Sequence, residues 1–171
     1  GERAMVIVYR SNTGFTREYA EMLGRAEKIK VYSVTEAERS LESGTEIFYM
    51  GPLLAGHIEG VDQAVKRYQV RGVCGVGLSP SGRQVLETIS RANYVPNAPI
   101  FYLQGGWAPK KVSWLKRRMV GMATKSLRES LQDKGSRRTP EEQAQLDLLV
   151  KGGSRVTFER LEAIRDWMKD C

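Results

Sequence analysis

Short apolar runs that alternate with helical patterns are the feature that most constrains how this chain can fold. Such runs predict strands at residues 4–9, 30–34, 45–50, 73–78 and 100–103, with helical spacing of apolar residues between most of them. Continuous apolarity is typical of parallel strands that are covered on both faces. Strands joined by helices form right-handed βαβ units. The chain is therefore predicted to be α/β, with a doubly wound five-stranded parallel sheet, helices on both faces, and the common order 2-1-3-4-5.

From residue 107 onward the pattern is helical. Apolar residues recur there at every fourth position: Leu115, Met119, Ala123, Leu127 and Leu131. This spacing predicts an amphipathic helix. Thr139, followed by Pro140 and by a glutamate three positions on, predicts the start of a second helix, and a last helix is expected from about Thr157. We expect one domain over residues 1–171, in which residues 107–171 form a helical extension packed on the sheet domain.

The positive charge is concentrated in one segment of that extension. The chain carries a formal net charge of +7, and residues 110–138 hold ten basic residues against Glu129 and Asp133. This segment suggests docking to an acidic redox partner protein or to an anionic membrane surface. The residues expected to make that contact are Lys111, Lys116, Arg117, Arg118 and Lys125. A solvated basic face over a packed helix is the alternative, and nucleic acid is not expected because no recognition motif accompanies the charge.

The cysteines and the lengths of the apolar runs indicate in which cellular compartment the protein is expected. Cys74 lies in an apolar run and is predicted to be buried in a strand, whereas Cys171 is the last residue. Their spacing is not that of a metal site, so no metal is expected, and a reducing compartment fits best. Without a signal-peptide pattern or an apolar run long enough to cross a bilayer, a cytoplasmic location is expected, with association to a membrane surface as the open alternative.

The turn after the first predicted strand carries the chemistry. Its residues are Ser11, Asn12, Thr13, Gly14, Phe15 and Thr16. A phosphate placed there would meet unpaired backbone N–H groups at the positive end of the helix dipole, together with three side-chain hydroxyls. The turn has neither the lysine of a Walker loop nor the glycine spacing of a dinucleotide fold. It therefore favours a terminal monophosphate held without a cation.

These six residues resemble the first loop of flavodoxins, whose pattern is Ser/Thr-x-Thr-Gly-x-Thr, at each defined position. The chain resembles in particular the branch that contains the menaquinone-dependent protoporphyrinogen oxidases. It shares with that branch the pair Gly56-His57 and an aromatic, basic run at residues 107–119. The resemblance implies FMN as cofactor.

The resemblance also implies which other residues would contact the flavin. After the third strand they are Pro52, Leu53, Leu54, Ala55 and Gly56, where the leucines would cover a ring face and the small residues would let the backbone approach. After the fourth and fifth strands they are Ser79, Pro80, Ser81, Gly106 and Trp107. Trp107 is equally well explained as an apolar anchor for the helix that follows it. His57 is interpreted as a solvated residue or, less readily, as a proton donor near the ring.

Four hypotheses about function follow from this sequence. The leading hypothesis is an FMN-binding redox protein that carries electrons to a partner protein. One alternative is an FMN-dependent oxidoreductase acting on a quinone or a porphyrinogen-like substrate, although the long loop that the oxidases carry after the fourth strand has no counterpart here. Another is a flavodoxin fold that has lost its cofactor and serves as an interaction module, and a loop that holds a different phosphate compound is a third.

Overall fold

The chain forms a mixed α/β structure in a computed structural model that describes residues 4–171. Backbone contacts divide it into two compact units, which are described separately. The first comprises residues 4–105 together with 156–171, and the second comprises residues 106–155. The prediction of one domain with a packed extension stays a prediction.

The first unit is built on a mainly parallel sheet. Its strands are β1 (Val6–Tyr9), β2 (Val31–Ser33), β3 (Glu46–Leu54), β4 (His57–Ile58), β5 (Gln69–Gly77) and β6 (Ile100–Gln104). The order is β2-β1-β3-β5-β6, with all of these pairs parallel, and the short β4 pairs antiparallel with β3. The predicted α/β class with a mainly parallel sheet is confirmed, whereas the hairpin strand β4 was not predicted.

Seven α-helices lie within residues 4–171. They are α1 (Phe15–Glu27), α2 (Val34–Ser40), α3 (Val61–Arg67), α4 (Arg83–Ala92), α5 (Trp114–Asp133), α6 (Pro140–Lys151) and α7 (Glu162–Lys169). Of these, α5 and α6 belong to the second unit and the rest to the first. Within the described residues, no helix is both long and apolar enough to span a bilayer.

The sheet of the first unit is buried on two sides. Successive strand residues point to opposite faces, so Phe48 joins a buried cluster with residues of α1 and α7, while Tyr49 joins another with residues of α2 and α3. Trp167 of α7 packs against Phe48 and Phe101, with ring centroids 5.6 and 5.8 Å apart. Burial on both faces explains why the strand sequences are continuously apolar. Cys74 of β5 is buried, as predicted.

Two boundaries differ from the sequence prediction. The pair Gly51-Pro52 suggested that the third strand ends there, yet β3 continues to Leu54 because β5 and β4 both pair with its last residues. The stretch Thr35-Glu36-Ala37-Glu38 predicts from sequence that Thr35 caps the next helix, yet the N-cap of α2 is Ser33. Its side chain accepts from the Glu36 N–H, and Glu36 accepts from the Ser33 N–H, which is a capping box.

The second unit is helical apart from one strand pair. Strand β7 (Gly106–Trp107) pairs antiparallel with β8 (Gly153–Ser154), which the sequence did not predict. The start of α6 is as expected, with Thr139 in a capping box and Pro140 in the first turn. In α5 the every-fourth-residue apolar series does not form a packed face, because Leu131 alone in that series is buried.

Candidate functional site

The loops that leave β1, β3 and β5 lie at one edge of the sheet, because the three strands are parallel and adjacent. Strand β1 has β2 on one side and β3 on the other, so the chain changes direction between β1 and β3. In open α/β sheets, ligands bind outside the carboxyl ends of the strands at such a switch point. The candidate site is therefore this edge of the first unit.

The first loop leaves the amino end of α1 open to a ligand. Gly14 is the N-cap with a φ of 106°, and no side chain among residues 4–171 caps the helix. The N–H groups of the first helical turn have no partner within a helix, so they and the helix dipole favour an anion. The Ser11 hydroxyl oxygen accepts from the Gly14 N–H at 3.1 Å, which closes the turn and leaves the hydroxyl hydrogen able to donate.

The side chains of this loop differ in access. Asn12 and Gly14 are exposed, Ser11 and Thr13 are half-buried, and Thr16 is buried. Phe15 packs inward, since a Cβ added at Gly105 would lie 3.0 Å from the Phe15 Cβ. The accessible donors are thus hydroxyl and backbone N–H groups, which are the chemistry that a phosphate monoester needs.

A side-chain contact joins the first loop to the segment that follows β4. The Asn12 Nδ2 donates to the Glu59 carboxylate at 2.5 Å. The Glu59 N–H in turn donates to the Pro52 carbonyl at 2.9 Å. The first loop and the β3–β4 hairpin are therefore connected, as a site that uses both loops requires.

The β3–β4 hairpin turns at Ala55 and Gly56, which both have positive φ, 51° and 82°. Two positive φ values at the centre of a two-residue loop are typical of a type I′ turn. Ala55 is exposed, and the left-handed conformation costs a residue with a Cβ about 1–2 kcal/mol. The hairpin thus keeps an unfavourable residue at its tip.

We expect Ala55→Asn to stabilise the protein by about 0.5–1 kcal/mol, because asparagine tolerates the left-handed region better than alanine. Chemical denaturation of the variant measures this as a higher midpoint with an unchanged slope. Ala108→Asn, at a position with a φ of −122°, is the control and should give no such gain. Equal or lower stability of Ala55→Asn would contradict the assigned turn.

Asn93, at the end of α4, holds the hairpin in place and was not predicted from the sequence. Its side chain is 5% exposed. The Oδ1 accepts from the Ile58 N–H at 2.9 Å, and the Nδ2 donates to the carbonyls of Gly56 at 2.9 Å and Ile89 at 2.7 Å. A buried polar side chain with three backbone partners fixes the turn at Gly56 and strand β4 to the end of α4.

The two leucines expected to cover a flavin differ in position. Leu53 packs against β5, because a Cβ added at Gly75 or Gly77 would lie 2.8 or 3.1 Å from its methyl carbons. Leu54 is 48% exposed. Pro52 is half-buried beside Val76 of β5. Leu54, Ala55 and Gly56 are thus the part of the predicted set that a ligand can reach most directly.

The loop after β5 is exposed at Ser79, Pro80 and Ser81. Two side chains of β6 hydrogen-bond to its backbone. Tyr102 donates its hydroxyl hydrogen to the Ser79 carbonyl at 2.6 Å, and Gln104 donates to the Leu78 carbonyl at 2.9 Å. Burial raises the pKa of Tyr102, so this hydroxyl stays protonated at ordinary pH. The loop therefore has a fixed backbone and accessible side chains.

His57 has an acidic neighbour that the sequence did not indicate. Its Nε2 lies 3.3 Å from the Asp62 Oδ2, and the side chains of His57 and Asp62 are 43% and 61% exposed. His57 also pairs with Leu54 across the hairpin. This places an imidazole–carboxylate pair next to the accessible tip of the hairpin.

Gly106 and Trp107 lie in the other unit, where they form β7. Their predicted contact with a flavin stays a prediction. Comparison of the chain with protein-family models and with curated proteins gave no match.

Proposed function

We propose that this protein has a flavodoxin-like fold, binds FMN at the carboxyl edge of its sheet, and transfers electrons through it. The observation that carries the proposal is the uncapped amino end of α1, bordered by the hydroxyls of Ser11 and Thr13 at the β1/β3 switch point. The flavin supplies the redox chemistry when bound, and the protein supplies binding and environment. The strand order β2-β1-β3-β5-β6, with β4 counted apart as a hairpin, is compatible with this assignment.

Different segments contact the phosphate and the ring of FMN in this proposal. Ser11, Thr13 and the first-turn N–H groups of α1 bind the phosphate. The hairpin tip at Leu54, Ala55 and Gly56 lies against the ring, and the exposed loop at residues 79–81 forms the opposite wall. Because the turn is rigidly held, the backbone groups that face the ring keep one arrangement.

Titration of the purified protein with FMN, followed by quenching of flavin fluorescence, tests the proposal. Riboflavin, which lacks the phosphate, is the matched ligand and should bind at least tenfold more weakly, since hydrogen bonds to a charged group contribute about 1.5–3 kcal/mol. Thr13→Val should weaken FMN binding about tenfold and leave riboflavin binding unchanged.

Thr35→Val, an exposed position at the start of α2, makes the same substitution away from the loop and should change neither affinity. If FMN and riboflavin bind equally, or if FMN does not bind, the proposed phosphate site is wrong. Binding of other phosphate compounds without flavin would favour the alternative phosphate-binding module.

The pair His57 and Asp62 favours one second candidate, an FMN-dependent oxidoreductase acting on a quinone. An exposed imidazole beside a carboxylate can move a proton, which electron carriage alone does not require. Reductive titration separates the two functions. A long-lived one-electron state indicates a carrier, whereas direct two-electron reduction followed by quinone turnover, lowered in His57→Asn, indicates the enzyme.

A further inference from the structure

Helix α5 exposes large apolar side chains along its first half. Trp114 is 66% and Met122 73% exposed, and Leu115 and Met119 are also more than half exposed. Monomeric proteins rarely leave several large apolar side chains together in water without a partner. The arrangement of these residues indicates what that partner is.

Cationic residues alternate with the apolar ones on the same side of the helix. Trp114, Arg118, Met122 and Lys125 follow one another at spacings of four, four and three, so they share one face. Leu115 and Met119 adjoin this row. We refer to these six residues as the α5 outer face.

The charged residues of α5 up to Lys125, and of the turn that precedes the helix, are all basic. Residues 110–125 include six basic and no acidic residues. Counting from Lys110, the first acidic residue is Glu129. Its Oε1 lies 4.0 Å from the Lys125 Nζ, so the run of basic residues without a carboxylate ends there. Lys110 and Lys111 lie in the 3-10 turn that precedes the helix, which extends the positive surface beyond its amino end.

One basic residue expected to dock a partner has a structural role. Arg117 Nη1 donates to the carbonyls of Pro109 and Val112, both at 3.0 Å, and so fixes the turn to the start of α5. Lys111, Lys116, Arg118 and Lys125 are the remaining members of that expected set.

We propose that the α5 outer face binds an anionic membrane surface, with the helix lying in the plane of the interface. A protein partner is usually met by an apolar centre with charges at its rim. Here the cations lie within the apolar row, where their long side chains can reach lipid phosphates while Trp114, Leu115 and the methionines enter the acyl boundary. Tryptophan is typical of this boundary. The proposal does not depend on flavin binding.

Sedimentation of the full chain with vesicles tests this proposal. Vesicles of phosphatidylcholine with about one third phosphatidylserine should bind the protein, and vesicles of phosphatidylcholine alone should not. Each basic side chain near an anionic surface contributes roughly fivefold in partitioning. Combined Lys111→Gln, Arg118→Gln and Lys125→Gln should therefore lower binding about 100-fold, and salt should lower wild-type binding.

Entry of the apolar side chains into the membrane is measured separately from the effect of charge. Emission from Trp114 should move to shorter wavelength with the anionic vesicles, and this change should be lost in Trp114→Phe. Met122→Ser should lower binding several-fold.

Tyr94→Ser and Arg83→Gln, at positions whose side chains are 82% or more exposed in the first unit, are the controls and should change nothing. Equal binding to both kinds of vesicle, no binding to either, or full binding by Met122→Ser without a change in Trp114 emission would overturn the proposal. Charge-dependent binding without the apolar effects would show electrostatic adsorption alone, and would overturn the entry of the apolar side chains into the acyl boundary. Circular dichroism of each variant shows whether it is folded.

Discussion

Replacing Asn93 by alanine is expected to lower the free energy of unfolding by about 2–4 kcal/mol, because three backbone partners lose a buried hydrogen bond at once. The Ile58 N–H and the carbonyls of Gly56 and Ile89 would be left without that amide. Urea denaturation followed by circular dichroism measures the loss as a lower midpoint. Gln84→Ala removes an exposed amide from the same helix and should stay within about 0.5 kcal/mol of wild type.

Asn93→Asp tests the same hydrogen bonds through the pH dependence of stability. The aspartate keeps an oxygen for the Ile58 N–H but faces two carbonyl oxygens with a group that can donate only when protonated. Burial and these oxygens would raise its pKa in the folded state above the unfolded value of about 4. The folded state then binds more protons than the unfolded state over this range, so stability should fall as pH rises above about 4.

A cost for Asn93→Asp that does not change between pH 4 and 7, or a stability of Asn93→Ala equal to that of Gln84→Ala, would show that Asn93 does not hold the hairpin. The same residue bears on function, since it fixes the Gly56 carbonyl at the tip of the hairpin. A variant that still folds should bind FMN more weakly than wild type, as the tip would no longer be held in one position.

What the sequence could predict is what depends on neighbouring residues. The strand–loop–helix at Ser11–Thr16 is local, and its hydroxyls, glycine and uncapped helix start can be recognised from six residues. The capping box at Thr139 is local in the same way. Unbroken apolar strands predicted a buried parallel sheet because burial on both faces leaves no polar alternation.

What the sequence could not predict depends on contacts between distant residues. Asn93 lies 35 residues from Ile58, and no pattern marks it beyond its place at the end of a helix. Gly51-Pro52 suggested a strand end, but pairing with both β4 and β5 extends the strand past it. For α5, the four-residue spacing shows that apolar residues share a face, but not whether another element covers that face.

Gly60→Ala is expected to be among the most destabilising single substitutions, at about 3–5 kcal/mol. Gly60 has a φ of 82°, so any Cβ there is strained. That Cβ would also overlap the hydroxyl of the buried Tyr49 side chain, and this hydroxyl donates to the Glu59 carbonyl at 2.6 Å. Because Glu59 accepts from Asn12, the damage would extend to the first loop.

A double-mutant cycle separates the two causes. Tyr49→Phe removes the hydroxyl and should cost about 1–2 kcal/mol alone, since one carbonyl loses its donor. Combined with Gly60→Ala, Tyr49→Phe also removes the overlap. The double variant should therefore be about 1–3 kcal/mol more stable than the sum of the two single effects predicts.

Gly44→Ala is the matched control, because Gly44 has nearly the same φ, 84°, and nothing within 4 Å of its added Cβ. It should cost only the backbone strain, about 1–2 kcal/mol, and show no coupling to Tyr49→Phe. Additive effects at Gly60 would mean that strain alone requires glycine there, and that Tyr49 does not fix the segment linking the hairpin to the first loop.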